Sequence, residues 1–470
     1  MIKKLLILIM ILFFSITNAQ ENYNDLWEKV QRLEVENLPK SALKVVNEIY
    51  AKADKNDNAP QIVKSLFYKS KFSLILEEDA QLKIVNQFKK HINKSSFPTK
   101  NVLENVLANL YWQYFNQHRW KFYQRTKTNE KVDNIDFRTW DLDTLFEEIN
   151  TYYFASLQEK GQLQKVDVYQ FKDILHQVKG SKNFRPTLYD FLAHNALPFY
   201  KTSESNITKP AYQFSIDNKE LIADSERFSK VKLQSKGTLS LQFNALKIYQ
   251  NLIAFHLADK NPTALVDVDL QRLQFVKQHA NFDDANNLFL QTLKTSEANY
   301  KNHKVSSLYT FEIAKIYNQQ ANSYNKETNP KPRFKNQKSL TICNSVIQQF
   351  PKSLGAKKCA VLKQQILNEQ LSITTENHLP IDKYTRLLIY YKNINQLYFT
   401  AYKISFKQQE KLRKTYNEKE KIAFINTLEK SFIWNNKLRN ENDYLQHTTE
   451  VIVPKMLQGN YLIIASKKNK

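Results

Sequence analysis

The chain has 470 residues, is 42% hydrophobic and 24% charged, and carries a formal net charge of +23, with only 5 glycines, 12 prolines and 2 cysteines. That length holds more than one core, and so few glycines disfavour an all-β or doubly wound fold, whose turns need them. Gly161, Gly180, Gly237, Gly355 and Gly459 never cluster, which excludes a P-loop, a G-x-G-x-x-G phosphate cradle and a G-x-S-x-G nucleophile elbow.

Residues 1–20 read MIKKLLILIMILFFSITNAQ. Lys3 and Lys4 precede the apolar run Leu5 to Phe14, and Thr17-Asn18-Ala19 places small residues before a cut after Ala19. This is the order of a signal peptide over residues 1–19, with an apolar core too short to span a membrane comfortably. The mature chain is therefore expected to be exported to the periplasm or beyond, soluble, without a transmembrane segment. Export removes most of the case for nucleic acid as the partner behind the positive charge. Lysines spread over solvated helix faces explain that charge better than an anionic partner does.

From residue 20 to 202 apolar residues recur at helical spacing. Leu26, Val30 and Leu33 form one stripe; Pro39 suits the first turn of the next helix, and Pro60 opens a third. Short helices of this kind resemble tetratricopeptide units, although no clean repeat is found. Residues 101–124 interleave Tyr111, Tyr114, Phe115, Trp120 and Phe122 with His118, Arg119, Lys121 and Arg125. Such aromatics could stack on sugars, but their spacing fits a buried helix face better. Asp141 is a fair N-cap, and Arg185-Pro186-Thr187 opens the helix LYDFLAHNALPFY. Residues 203–236 read as an irregular linker with short extended pieces such as Ala211-Tyr212-Gln213-Phe214. Helices are predicted again at 238–257, 262–279, 283–300, 304–322, 336–349 and 353–368. Cys343 and Cys359 fall in the last two, with Pro351 between them. In an oxidising compartment they either pair as a disulfide or remain buried free thiols.

At residue 369 the period changes from helical to alternating. Strands are predicted at 372–375, 385–391, 397–404, near Trp434, at 450–453 and at 461–465. Residues 406–431 form a helical or loop-like insertion. The expected fold is thus α+β: a tetratricopeptide-like helical solenoid in two parts, 20–202 and 237–368, followed by a small antiparallel β-sandwich over 369–470.

The segment DLWEKVQRLEVENLPKSALKVVNEIYAKA, the helix RPTLYDFLAHNAL and the ending QHTTEVIVPKMLQGNYLIIAS together resemble the amino-terminal part of bacterial alpha-2-macroglobulin-like proteins of the Bacteroidetes type. The resemblance implies a helical leader ahead of a first macroglobulin-like sandwich. It also implies a chain that stops before the bait region and the thioester, because neither Cys343 nor Cys359 begins the family's Cys-Gly-Glu-Gln motif. No catalytic, cofactor-binding or metal-ligating residue is assigned: the nine histidines are scattered, with no H-E-x-x-H. The expected function is that of a non-enzymatic docking protein. Its partners would be envelope proteins, among them proteases or a separate macroglobulin-like chain, without a cofactor. The stop after the last strand places the candidate docking edge at Tyr461, Leu462, Ile463 and Ile464. The alternative is a periplasmic glycan-binding or glycan-cleaving helical protein.

Overall fold

A computed structural model describes residues 23–78, 80–124, 136–202, 204, 214–235 and 240–468. The expected signal peptide and the extended piece at 211–213 lie outside the described residues. The described chain is mostly helical, with a small antiparallel sheet region toward its C-terminus. It forms two compact units, Met1–Ala285 and Asn286–Lys470.

The first unit begins with α1 (23–35), α2 (Pro39–Lys55), α3 (Ala59–Leu76), α4 (Ala80–Lys94) and α5 (Thr99–Tyr123). It continues with α6 (Leu142–Ser156), α7 (Lys160–Leu163), α8 (Leu188–Tyr200), α9 (Ser225–Ser229), α10 (Leu241–His256) and α11 (Thr263–His279). Helix starts follow local chemistry. Pro39 stands in the first turn of α2, Asn58 accepts the Gln61 N–H to cap α3, and Asp141 caps α6 by accepting the Thr144 N–H at 2.8 Å. Thr187 and Asp190 close a reciprocal capping box at α8, which satisfies two backbone donors that a helix start otherwise leaves open. Packing runs chiefly between helices near in sequence: α2 on α3, α4 on α5, α5 on α6, α10 on α11.

The aromatic residues of α5 are core, as their spacing predicts. Tyr111, Trp112, Tyr114, Phe115 and Phe122 are buried, whereas Trp120 is 77% exposed. Trp112 stacks on Phe115 at 5.3 Å and meets Phe199 of α8 edge-on at 5.4 Å, the offset and T-shaped contacts that ring quadrupoles favour. The segment read as a linker is partly packed. Leu221, Ile222 and Phe228 are buried, and the fully buried Arg272 donates to the carbonyls of Leu221 and Ala223 at 2.9 and 2.8 Å. Arg272 also pairs with Asp269 and lies over the Phe228 ring. One long side chain thus satisfies two carbonyls at the junction between the short helical turn at 219–222 and α9.

The second unit holds α12 (Ala285–Asn299), α13 (Ser307–Asn322), α14 (Lys335–Gln349), α15 (Leu354–Leu367) and all the strands. These are β1 (Gln370–Thr374), β2 (Thr385–Lys392), β3 (Gln396–Ile404), β4 (Lys430–Lys437), β5 (His447–Val453) and β6 (Asn460–Ser466). They make two three-stranded antiparallel sheets, ordered β1-β2-β5 and β4-β3-β6. Alternation fixes which side chains turn inward. Leu387, Ile389, Tyr391, Val451 and Val453 of one sheet and Leu397 and Phe399 of the other share one core, with Trp434, Ile463 and Ala465 against it. The predicted insertion is α16 (Phe406–Lys414) and α17 (Glu418–Ile425), capped by Ser405 and Asn417.

The change of period at 369 coincides with the start of β1 but falls inside the second unit. Asn393, in the turn between β2 and β3, donates to the carbonyls of Ile366 and Asn368 at 2.9 and 3.1 Å, closing the end of α15. The loop after β4 returns to α14. Asn336 donates to the carbonyls of Asp443 and Tyr444, and Arg333 donates to Asp443 at 3.0 Å. Tyr444 itself packs into the helical cluster of Leu340, Cys343, Val346, Cys359 and Leu362. Its backbone is held at φ 57°, a strained value for an aromatic residue that the surrounding hydrogen bonds stabilise.

Candidate functional site

The four residues Tyr461, Leu462, Ile463 and Ile464 lie on β6, which pairs antiparallel with β3 from Ile404↔Asn460 to Tyr398↔Ser466. In the order β4-β3-β6 this strand is an edge. Among the described residues no strand pairs with its other side. The four side chains do not share one face. Ile463, opposite the buried Ala401, packs against the common core. Tyr461 turns the same way, its ring 6.2 Å from that of Phe432 on β4. Leu462 and Ile464 alternate to the other face, half-buried, opposite the buried Tyr402 and the half-buried Thr400. Ile433 of β4, also opposite Thr400, is 59% exposed, so the row Ile433–Thr400–Ile464 presents two branched apolar side chains outward. The edge therefore offers a β-addition surface beside an apolar outer face, the two elements that recognition by strand pairing uses. Lys467, just past β6, pairs with Glu369, so the charge that blunts this edge is anchored to the start of β1.

Cys343 and Cys359 are both buried and are brought together from α14 and α15 as free thiols. They are hydrogen-bonded to each other. That bond holds the Cys343 thiol below its usual range, assisted by Ser339. The same bond, with burial, pushes the Cys359 thiol up. The sequence places both residues in neighbouring helices, and the structure sets them in contact.

One charged cluster had no sequence signal. His256 Nε2 lies 2.6 Å from Asp190 Oδ1, and His256 Nδ1 lies 2.7 Å from Asp259 Oδ2. Asp190 and His256 are separated by 66 positions, and both are almost fully buried. Burial works against the charged ring, but the hydrogen bonds and charges of Asp190 and then Asp259 outweigh it and hold His256 above its usual range. Asp190 is likewise penalised by burial, yet its bonds from His256 and Thr187 hold it below the usual carboxylate range. With its three members locked to one another and to the α8 cap, the cluster joins α8 to α10 and is a structural tie. Among the described residues no group of His, Cys, Asp and Glu side chains is arranged to hold a metal ion, and no helix is long and apolar enough to cross a membrane. In comparisons with protein-family models, curated proteins and solved structures, no family model, curated protein or solved structure matches this chain.

Proposed function

We propose that this chain is a non-catalytic, exported docking protein that engages a protein partner of the cell envelope along strand β6. In this reading the helices form a tetratricopeptide-like solenoid. The two sheets with their common core form a macroglobulin-like sandwich, and the whole resembles the leader of an alpha-2-macroglobulin-like protease-trapping protein. The observation that carries the reading is the edge position of β6, with Leu462 and Ile464 turned outward beside Ile433. An unpaired strand edge templates pairing with another chain, and flanking apolar side chains select which one. Proteases and a separate macroglobulin-like chain are the partner classes that the family resemblance supplies. The test is co-purification from envelope extract with the full chain and with the double variant Leu462→Lys/Ile464→Lys. The reading expects a specific partner to be recovered with the first and lost with the second. Equal recovery with both removes β6 from the account.

A further inference from the structure

The first unit contains a cleft of about 460 Å³ between the end of α6, the α7 turn, α8 and α10. Nothing in the docking reading uses it. Its volume is that of a small-ligand site rather than of a packing defect. We propose that this cleft binds an acidic saccharide, taking the carboxylate between Lys160 and Lys247 and a sugar ring against Phe154.

The polar groups are fixed before any ligand arrives. Lys160 donates to Asn251 Oδ1 at 3.0 Å, and the Asn251 side chain also hydrogen-bonds the buried Tyr189 hydroxyl. On the floor, Tyr200 and Asn244 both donate to Asn150 Oδ1, at 3.0 and 3.3 Å. Each anchor therefore uses part of a side chain's capacity and leaves the rest. The ammonium of Lys160 keeps two donors, Tyr189 keeps its O–H, and Asn244 keeps its carbonyl acceptor. The inventory is rich in donors, which suits a ligand rich in oxygen acceptors.

Charge narrows the class. Lys160 is held by an amide, and Lys247 lies 4.9 Å over the Phe243 ring, so neither is paired with a carboxylate among the described residues. Glu159 also lines the cleft, which leaves one net positive charge for a monoanion to balance. The apolar surface narrows it further. Phe154 is 63% exposed at the rim and Ile248 is buried on the wall. A ring face beside hydroxyl-binding amides matches the C–H face and hydroxyl edge of a pyranose better than it matches a flexible acyl chain. The aromatic residues that alternate with basic ones on α5 are largely core, and the polar cleft lies elsewhere, on residues 154–251.

The experiment is titration calorimetry on the full chain with digalacturonate, with the neutral digalactose and with hexanoate. Digalacturonate is expected to bind, with the other two at least ~10-fold weaker. Phe154, Lys160 and Lys247 line the cleft at or near the surface, so Lys160→Gln/Lys247→Gln and Phe154→Ala should keep the wild-type unfolding midpoint. Each is expected to weaken digalacturonate by ~10-fold or more, the loss of a charge-assisted hydrogen bond or a ring contact. Three results overturn the proposal: no heat or saturation with digalacturonate at millimolar concentration, equal affinity for hexanoate, or unchanged affinity in the folded double-lysine variant.

Discussion

Replacing Asp190 tests whether the buried tie between α8 and α10 holds the first unit together. Its carboxylate accepts from His256 Nε2 at 2.6 Å, from Thr187 Oγ1 at 2.7 Å and from the Thr187 N–H at 2.9 Å. Asp190→Ala removes all three bonds and leaves a buried imidazolium facing Asp259 alone, a loss of about 3–5 kcal/mol. Asp190→Asn keeps the size and the capping oxygen but loses the charge, and should cost about 1.5–3 kcal/mol. The sign with pH follows from both groups. Asp190 is held below its ordinary 3.8, so its contribution is present above that value and fades as pH falls through its lowered pKa. His256 is held above its ordinary 6.5, so its contribution is complete below that value and is lost as pH rises through its raised pKa. The pair is therefore strongest between 3.8 and 6.5. Urea unfolding followed by tryptophan fluorescence reads the right unit, because Trp27, Trp112, Trp120 and Trp140 lie in the first unit and only Trp434 in the second. The destabilisation by Asp190→Asn should be larger at mildly acidic pH than in alkali. A loss under about 0.5 kcal/mol at mildly acidic pH, or one that does not change with pH, refutes the reasoning.

Gly355→Ala should destabilise the second unit by about 1–3 kcal/mol, since a Cβ there would sit 2.3 Å from the backbone oxygen of Ser307; a wild-type unfolding midpoint would show that α15 does not approach α13 so closely. Arg333→Ala should cost about 2 kcal/mol by removing the charged donor from Oδ2 of Asp443, which is 1% exposed and keeps only His447 and the Leu445 N–H on its other oxygen, and hydrogen exchange should rise selectively in the loop 438–446; uniform protection there would contradict it. Chain isolated from an oxidising compartment is expected to carry the Cys343–Cys359 disulfide, given the contact between the two thiols; two thiols titrated in denatured, unreduced protein would rule it out.

Most helices were legible because a buried face imposes its period on the sequence over many turns. The predicted 262–279 and 336–349 correspond closely to α11 and α14. Pro39 and Asp141 announced helix starts through chemistry confined to a single turn. The strands were equally readable where one face is buried, as in 385–391 and 397–404. β4 was only glimpsed at Trp434, because an apolar Ile433 on the exposed face and a polar Asn436 on the inward face break its alternation. What the sequence could not disclose is long-range. Arg272 looks like any helical arginine until the carbonyls of Leu221 and Ala223 are placed around it. Asp190 and His256 carry no local mark of their partnership. The change of period at 369 shows where strands begin, not where a compact unit begins, because Asn393 and Tyr444 bind the strands back to α14 and α15. At the candidate edge, alternation separates Leu462 and Ile464 from Ile463, but only the strand order reveals that β6 has a single neighbour among the described residues.

Site-specific photo-crosslinking tests the docking claim most directly. A photoreactive residue is placed in the full chain at Leu462 or Ile464, and for comparison at Ile452, an exposed position on β5 of the other sheet. The account predicts a discrete adduct with one envelope protein from Leu462 and Ile464 and none from Ile452. Adducts of equal yield from all three positions, or from Ile452 alone, would contradict it.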